Sequence, residues 1–156
     1  MNTPVLIYFA GPLFSDAERE YNERLTASLE ALGFEVFLPQ RDGPENGPDY
    51  ATLSPDERRE AIFTVDRDMV LASDIFLFVL DGRVPDEGAA VELGIAYHQK
   101  LSSQPEKRLL GLMTDDRAAF PGAKLNPMLA VALDEVFESE EALLAALQGQ
   151  YSAHQR

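Results

Sequence analysis

The chain has 156 residues, with 27 Asp and Glu against 13 Lys and Arg and a formal net charge of −14. That balance argues against a nucleic-acid polymer or an anionic membrane as partner, since neutralising phosphate needs clustered Lys and Arg. Without cysteine there is no disulfide, thiolate metal site or cysteine nucleophile, and two histidines are too few for a His-rich metal centre. The length and 46% hydrophobic content fit one domain over residues 1–156. No apolar run nears the ~20 residues of a bilayer span, and the N-terminus lacks the basic region of a signal peptide. A cytoplasmic location is the expectation.

In chain order, PVLIYF at 4–9 reads as a buried strand ended by the turn Ala10-Gly11-Pro12. Ser15 and Glu18 form a capping-box pattern before a helix over about 15–32, which Gly33 stops. FEVFL at 34–38 is a second strand, and the Gly- and Pro-rich stretch 39–53 reads as a long loop. Ser54, Pro55 and Glu57 repeat the capping signature for a helix over 55–72, with Ile62, Phe63, Val65, Met69 and Val70 as its apolar stripe. DIFLFVL at 74–80 is the most hydrophobic strand and belongs at the centre of a parallel sheet.

A helix follows Asp86 to about Lys100, then a strand at 108–113 and a short helix at 126–132. A strand at 134–137 and a last helix over 140–148 complete the chain. Strands alternating with helices imply right-handed crossovers and a doubly wound α/β sandwich. The expected architecture is flavodoxin-like, with five parallel strands in the order 2-1-3-4-5.

Such sheets bind ligands beyond the carboxyl ends of their strands. LDGRVPDEGAAVELGIA at 80–96 lies there and carries Asp86 and Glu92 among small residues. Asp86 suits either a helix cap or a ligand contact; Glu92 suits either a solvated helix position or a group facing a ligand, and Gly94 a close helix–strand approach. Asp66 sits late in its helix, where the dipole disfavours an acid. Tyr8 belongs to the core by composition, yet lies where its hydroxyl can reach the crevice. AGPLF lacks the glycines of a phosphate cradle. Carboxyl groups around an apolar pocket suit glycosidic-bond chemistry, one attacking the anomeric carbon and another protonating the leaving group.

The segments YFAGPLF (8–14), LPQRDG (38–43), IFTVD (62–66), SDIFLFVLDG (73–82), PDEGAAVELGIA (85–96) and NPM (126–128), in this order and spacing, resemble the nucleoside 2-deoxyribosyltransferase family. The resemblance implies cleavage of the N-glycosidic bond of 2′-deoxynucleosides and transfer of the sugar to another purine or pyrimidine, with no metal or cofactor. It implies that Glu92 is the nucleophile, Tyr8 orients it, and Asp66 protonates the departing base. Asp86 corresponds to a sugar-hydroxyl ligand, Gln40 to a base-contacting position, and Gly11 falls among the substrate-binding positions. Asn126 and Met128 correspond to residues that a neighbouring subunit lends, so a homo-oligomer is implied, built from dimers and extending to a hexamer. Glu92 should be ionised to attack, and Asp66 should have a raised pKa to donate.

The nearest rival is a 2′-deoxynucleoside 5′-phosphate N-hydrolase. Asp86 and the acidic first loop GPLFSDAERE are poor company for a 5′-phosphate. A non-catalytic nucleoside-binding module is the other alternative, and it has no need of both an attacking and a proton-donating carboxyl group.

Overall fold

The computed structural model describes residues 4–115 and 125–154. Five parallel strands, β1 (Leu6–Ala10), β2 (Glu35–Phe37), β3 (Ile75–Val79), β4 (Arg108–Leu112) and β5 (Glu135–Phe137), form one sheet in the order β2-β1-β3-β4-β5. The helices are α1 (Asp16–Ala31), α2 (Pro39–Asp42), α3 (Pro55–Ala72), α4 (Glu87–Ser102), α5 (Pro127–Ala132) and α6 (Glu140–His154). This is the flavodoxin-like order expected from the strand and helix alternation.

Side chains alternate across each strand, so one apolar run feeds two cores. Ile7, Phe9, Ile75, Leu77, Val79, Leu110 and Leu112 pack with Leu25 and Leu29 of α1 and Leu143 and Leu147 of α6. Tyr8, Ala10, Phe76, Phe78 and Leu109 face the other way, toward Val70 of α3, Ala89, Leu93 and Ala96 of α4, and Leu129 of α5. Both capping boxes form: Ser15 with Glu18 starts α1, and Ser54 with Glu57 starts α3. Each such cap is worth about 1 kcal/mol.

Two details of α3 and α4 differ from the sequence reading. Phe63 is not part of the buried stripe of α3 but is 54% exposed, with the Arg67 guanidinium over its ring at 5.8 Å. On a 3.6-residue period Val65, Met69 and Val70 face the sheet, and positions 63 and 67 fall on the outer side. Gly94 does not mark a close approach to the sheet, since a Cβ there would meet nothing within 4 Å.

Residues 39–53 are not an open loop. They fold as α2 and two single 3-10 turns, Pro44–Asn46 and Tyr50–Thr52. Local side-chain bonds replace an apolar core here. Asp42 Oδ2 accepts from Leu38 N at 2.9 Å, and Asn46 Nδ2 donates to the carbonyls of Gln40 at 3.2 Å and Arg41 at 3.1 Å.

Lys107, just before β4, is 1% exposed. Its ammonium donates to the Val70 carbonyl at 2.8 Å, to Ser73 Oγ at 3.1 Å and to the Ser73 carbonyl, tying the end of α3 to the sheet. Burial pulls its pKa down to about 8, against the opposing charge of Asp74. Lys107→Met strands those acceptors in a dry site, and we expect a loss of about 2–4 kcal/mol in urea unfolding. An unchanged midpoint and slope show that the ammonium contributes nothing net.

Candidate active site

The site begins with strand register. Tyr8 of β1 lies opposite Phe37 of β2 and Phe76 of β3. Their rings stack on one face of the sheet, with centroids 5.6 Å (Phe37) and 5.7 Å (Phe76) from Tyr8. Held between two neighbours, the fully buried Tyr8 ring has a fixed direction, and its hydroxyl donates to Glu92 Oε1 at 2.9 Å. The Asp66 carboxyl of α3 lies near enough to act on the same hydroxyl. Tyr8 thus stands between a carboxyl group of α4, which it hydrogen-bonds, and one of α3, 26 positions away in sequence (92 − 66). The ring is core, as its composition suggests, and its hydroxyl is spent on the Glu92 carboxyl.

Helix periodicity explains why the carboxyl groups converge. With Ala89, Leu93 and Ala96 of α4 against the sheet, Glu92 falls on the flank facing α3. Val65 and Met69 anchor α3, and Asp66 follows on its half-buried margin, whereas Asp68 points outward and pairs with Arg67. Asp86 is the N-cap of α4, its Oδ2 accepting from Ala89 N at 2.8 Å, and its charge also reaches Glu92. It is both a cap and a member of the carboxyl group cluster. At Gly11, just after β1, a Cβ would lie 3.0 Å from Val79 Cβ and 3.1 Å from the Val79 carbonyl, so only glycine lets this turn approach β3 this closely.

Burial dominates the protonation of the cluster. It raises Glu92 to about 8, helped by the charges of Asp66 and Asp86 and opposed by the Tyr8 hydrogen bond. It raises Asp66 to about 6, helped by the charge of Glu45 and opposed by Tyr8. Tyr8 is pushed far above the usual phenol range, first by burial and then by the two carboxylates, so it stays protonated as a donor. The raised pKa of Asp66 matches the sequence expectation. The order of the pair does not, because the more deeply buried Glu92 holds its proton more tightly in the free protein.

The remaining sequence candidates lie elsewhere. Gln40 turns toward α1, donating to the Arg19 carbonyl at 3.0 Å and to Glu23 Oε1 at 3.3 Å, and accepting from Asn22 Nδ2 at 3.0 Å. Asn126 caps α5 by accepting from Met128 N at 2.9 Å, and Met128 is 80% exposed. Both line a cavity of about 750 Å³ with Leu80, Pro85, Ala90 and Met113; Tyr8, Asp66, Asp86 and Glu92 are not among its walls. The chain thus brings together Tyr8, Asp66, Glu92 and Asp86, and keeps Asn126 and Met128 on the other flank of α4. Glu45 is the member that the sequence reading missed. It lies 21 positions before Asp66 (66 − 45) in a stretch read as loop, and no local pattern marks it.

A half-buried carboxyl pair beside a phenol can supply an oxygen nucleophile and a proton donor to a small ligand. No curated protein matches the chain significantly. Among solved structures, a conserved protein from Enterococcus faecalis V583 is similar at 28% identity, covering 95% of this chain and 99% of that one with a TM-score of 0.75. A 2-deoxyribosyltransferase from Bacillus psychrosaccharolyticus shares the fold at 21% identity, covering 90% of each chain with a TM-score of 0.67. The profile of the family described as nucleoside 2-deoxyribosyltransferase matches residues 7–144, which take in every member of the carboxyl cluster. The chain belongs to the nucleoside 2-deoxyribosyltransferase family.

Proposed function

We propose that this protein is a nucleoside 2-deoxyribosyltransferase of deoxynucleoside salvage, exchanging the base of a 2′-deoxynucleoside through a covalent glutamyl intermediate. The observation that carries the reading is the 2.9 Å hydrogen bond from Tyr8 to Glu92, with the Asp66 carboxyl close to the same hydroxyl. Ionised Glu92 attacks the anomeric carbon, and the pair of the broken C–N bond leaves with the base as Asp66 gives it a proton. In the second half a ring nitrogen of the incoming base attacks the same carbon, Glu92 departs as carboxylate, and Asp66 takes the proton back. Two inversions give net retention. Tyr8 fixes the attacking oxygen and remains neutral throughout. Asp86 keeps Oδ2 on the cap of α4 and offers Oδ1 to a sugar hydroxyl.

Gly11 leaves room at the floor of the pocket, and Gln40 contacts the base only after releasing α1. Asn126 and Met128 reach a pocket through oligomerisation, each subunit lending them to a neighbour. Their exposure, and their separation from this chain's own Glu92, support that assignment.

The direct test is incubation with 2′-deoxyinosine, with and without adenine or cytosine, followed by chromatography. New 2′-deoxyadenosine or 2′-deoxycytidine supports transfer. Hypoxanthine release without exchange is the hydrolase outcome and overturns it.

The pKa order has a kinetic consequence. Attack needs ionised Glu92 beside protonated Asp66, the minority arrangement of a pair with values of about 8 and about 6. The singly protonated pair is nevertheless the reactive state, so kcat/KM should follow a bell. Its limbs should lie near pH 6 and pH 8, the acidic limb falling as both groups are protonated and the alkaline limb as both ionise. A profile flat from pH 5 to 9 contradicts a shared proton.

A further inference from the structure

α3 carries Asp66, yet of its 18 residues only Val70 is buried. α4, which carries Glu92, is seated on the sheet by three buried residues, Ala89, Leu93 and Ala96. Apolar packing therefore fixes α4 more firmly than α3. The deficit is made up at the C-terminal end of α3, where the last carbonyls of a helix have no partner within the helix. Lys107, entering β4, donates to the Val70 carbonyl at 2.8 Å, to Ser73 Oγ at 3.1 Å and to the Ser73 carbonyl. Ser73 Oγ in turn donates to the Val70 carbonyl at 2.8 Å. From the other side, Gln99 of α4 donates its Nε2 to the Leu71 carbonyl at 2.8 Å.

These gripped carbonyls lie on rigid elements close to the reacting groups. Val70 is one turn beyond Asp66, so its N–H bonds the Asp66 carbonyl while Lys107 holds its own carbonyl. Gln99 follows Glu92 by two turns on the same flank of α4, and its bond to Leu71 spans the two helices that carry the carboxyl pair. Asp74, next after Ser73, gives its N–H to the Leu6 carbonyl and accepts from Leu6 N at Oδ2, both at 2.9 Å. Leu6 opens β1, two residues before Tyr8. One polar knot at the amino-terminal edge of the sheet thus ties α3 to β4, to α4 and to the strand of Tyr8. Its parts are costly: an ammonium out of water, and a Gln99 Oε1 buried with no partner among the described residues. Directional bonds of this kind fix axial position and rotation, which apolar contact leaves loose.

We propose that Lys107 and Gln99 are positioning residues for the reaction, setting through the last carbonyls of α3 the depth and rotation at which Asp66 meets the leaving base. The assignment rests on the transferase reading of the same site. A shift of about 1 Å caused far from the chemistry costs about 100-fold. Loss of either grip should remove about 10- to 100-fold from the proton transfer that Asp66 serves. It should spare the attack by Glu92, which Tyr8 and the buried face of α4 hold in place.

The test compares wild type, Lys107→Met and Gln99→Leu on two substrates. The base of 2′-deoxyinosine needs a proton to leave, and the 2-deoxyriboside of a strongly acidic phenol does not. Circular dichroism checks folding, and Gln99→Leu serves if Lys107→Met unfolds, because Leu71 is exposed and water replaces the lost bond. In the folded variants turnover of 2′-deoxyinosine should fall about 10- to 100-fold while phenol release stays within about threefold of wild type. A merely structural role lowers both by one factor as active protein is lost. Equal losses on the two substrates, or no loss on either, overturn the proposal. Carbon-13 NMR titration of the Asp66 carboxyl gives a readout without turnover. Burial raises it to about 6 in wild type, and displacement of α3 should let it fall toward the ordinary carboxyl value. Should wild type turn over no 2-deoxyriboside, the transferase reading fails by itself. The titration then decides the clamp alone: a lowered Asp66 in the variants upholds it, and one that does not fall overturns it.

Discussion

Glu92→Gln is expected to lower deoxyribosyl transfer by about four orders of magnitude or more, the loss typical of a deleted nucleophile. It should also abolish the protein-bound sugar. Wild type incubated with a 2′-deoxynucleoside, acid-quenched and weighed by mass spectrometry should carry one added anhydro-deoxyribosyl group, and the variant none. The substitution isolates chemistry from structure. Burial holds Glu92 up to about 8, so at pH 7 the free protein already carries it mainly uncharged, as the amide is. Gln also retains an oxygen for the Tyr8 hydroxyl. Folding should be undisturbed, and the pH dependence of stability gives an independent check. A carboxyl group whose folded pKa is raised from 4.5 to about 8 binds more protons folded than unfolded between those values. Wild-type stability therefore falls as pH rises through that window, and the variant should lack that fall. An adduct persisting in Glu92→Gln places the nucleophile elsewhere.

Asp66→Asn should cost about 10²- to 10⁴-fold in transfer between ordinary bases, the contribution of a positioned general acid. The size of the loss must depend on the leaving group. A 2-deoxyriboside of a strongly acidic phenol departs without a proton, so its cleavage by the variant should stay near the wild-type rate. The Asn side chain keeps the volume of Asp66 at the margin of α3 and removes the proton together with the charge felt by Glu92. That lost repulsion lowers the pKa of Glu92, and the alkaline limb of the profile should vanish with the acid that produced it. Equal losses with both kinds of leaving group make Asp66 a structural residue and leave proton donation unassigned.

Much of the architecture was already legible in local pattern. Apolar runs such as IFLFV, flanked by turns, can only be strands buried on both faces, and their alternation with capped helices leaves few topologies. Ser15 with Glu18 and Ser54 with Glu57 mark helix starts because cap and backbone lie within four residues of each other, a distance that sequence alone controls. The presence of Tyr8, Asp66, Asp86 and Glu92 in segments that share one family pattern was legible for the same reason.

What the tertiary structure decided depends on groups far apart in the chain. Tyr8 reaches Glu92 because parallel register sets its ring between Phe37 and Phe76. Phe63 faces outward and Gly94 opens on space because helix rotation is set by the whole buried face, not by one apolar residue. Residues 39–53 gain order from polar bonds that hydrophobic patterning does not register. The proton order of Glu92 and Asp66 follows from relative burial, which exists only once α3 and α4 have packed on the sheet. The sequence by itself thus determined the family pattern and the element order, since these rest on neighbours in the chain. Which carboxyl groups meet, and which of them holds its proton more tightly, were decided by folding, because desolvation and charge act through space.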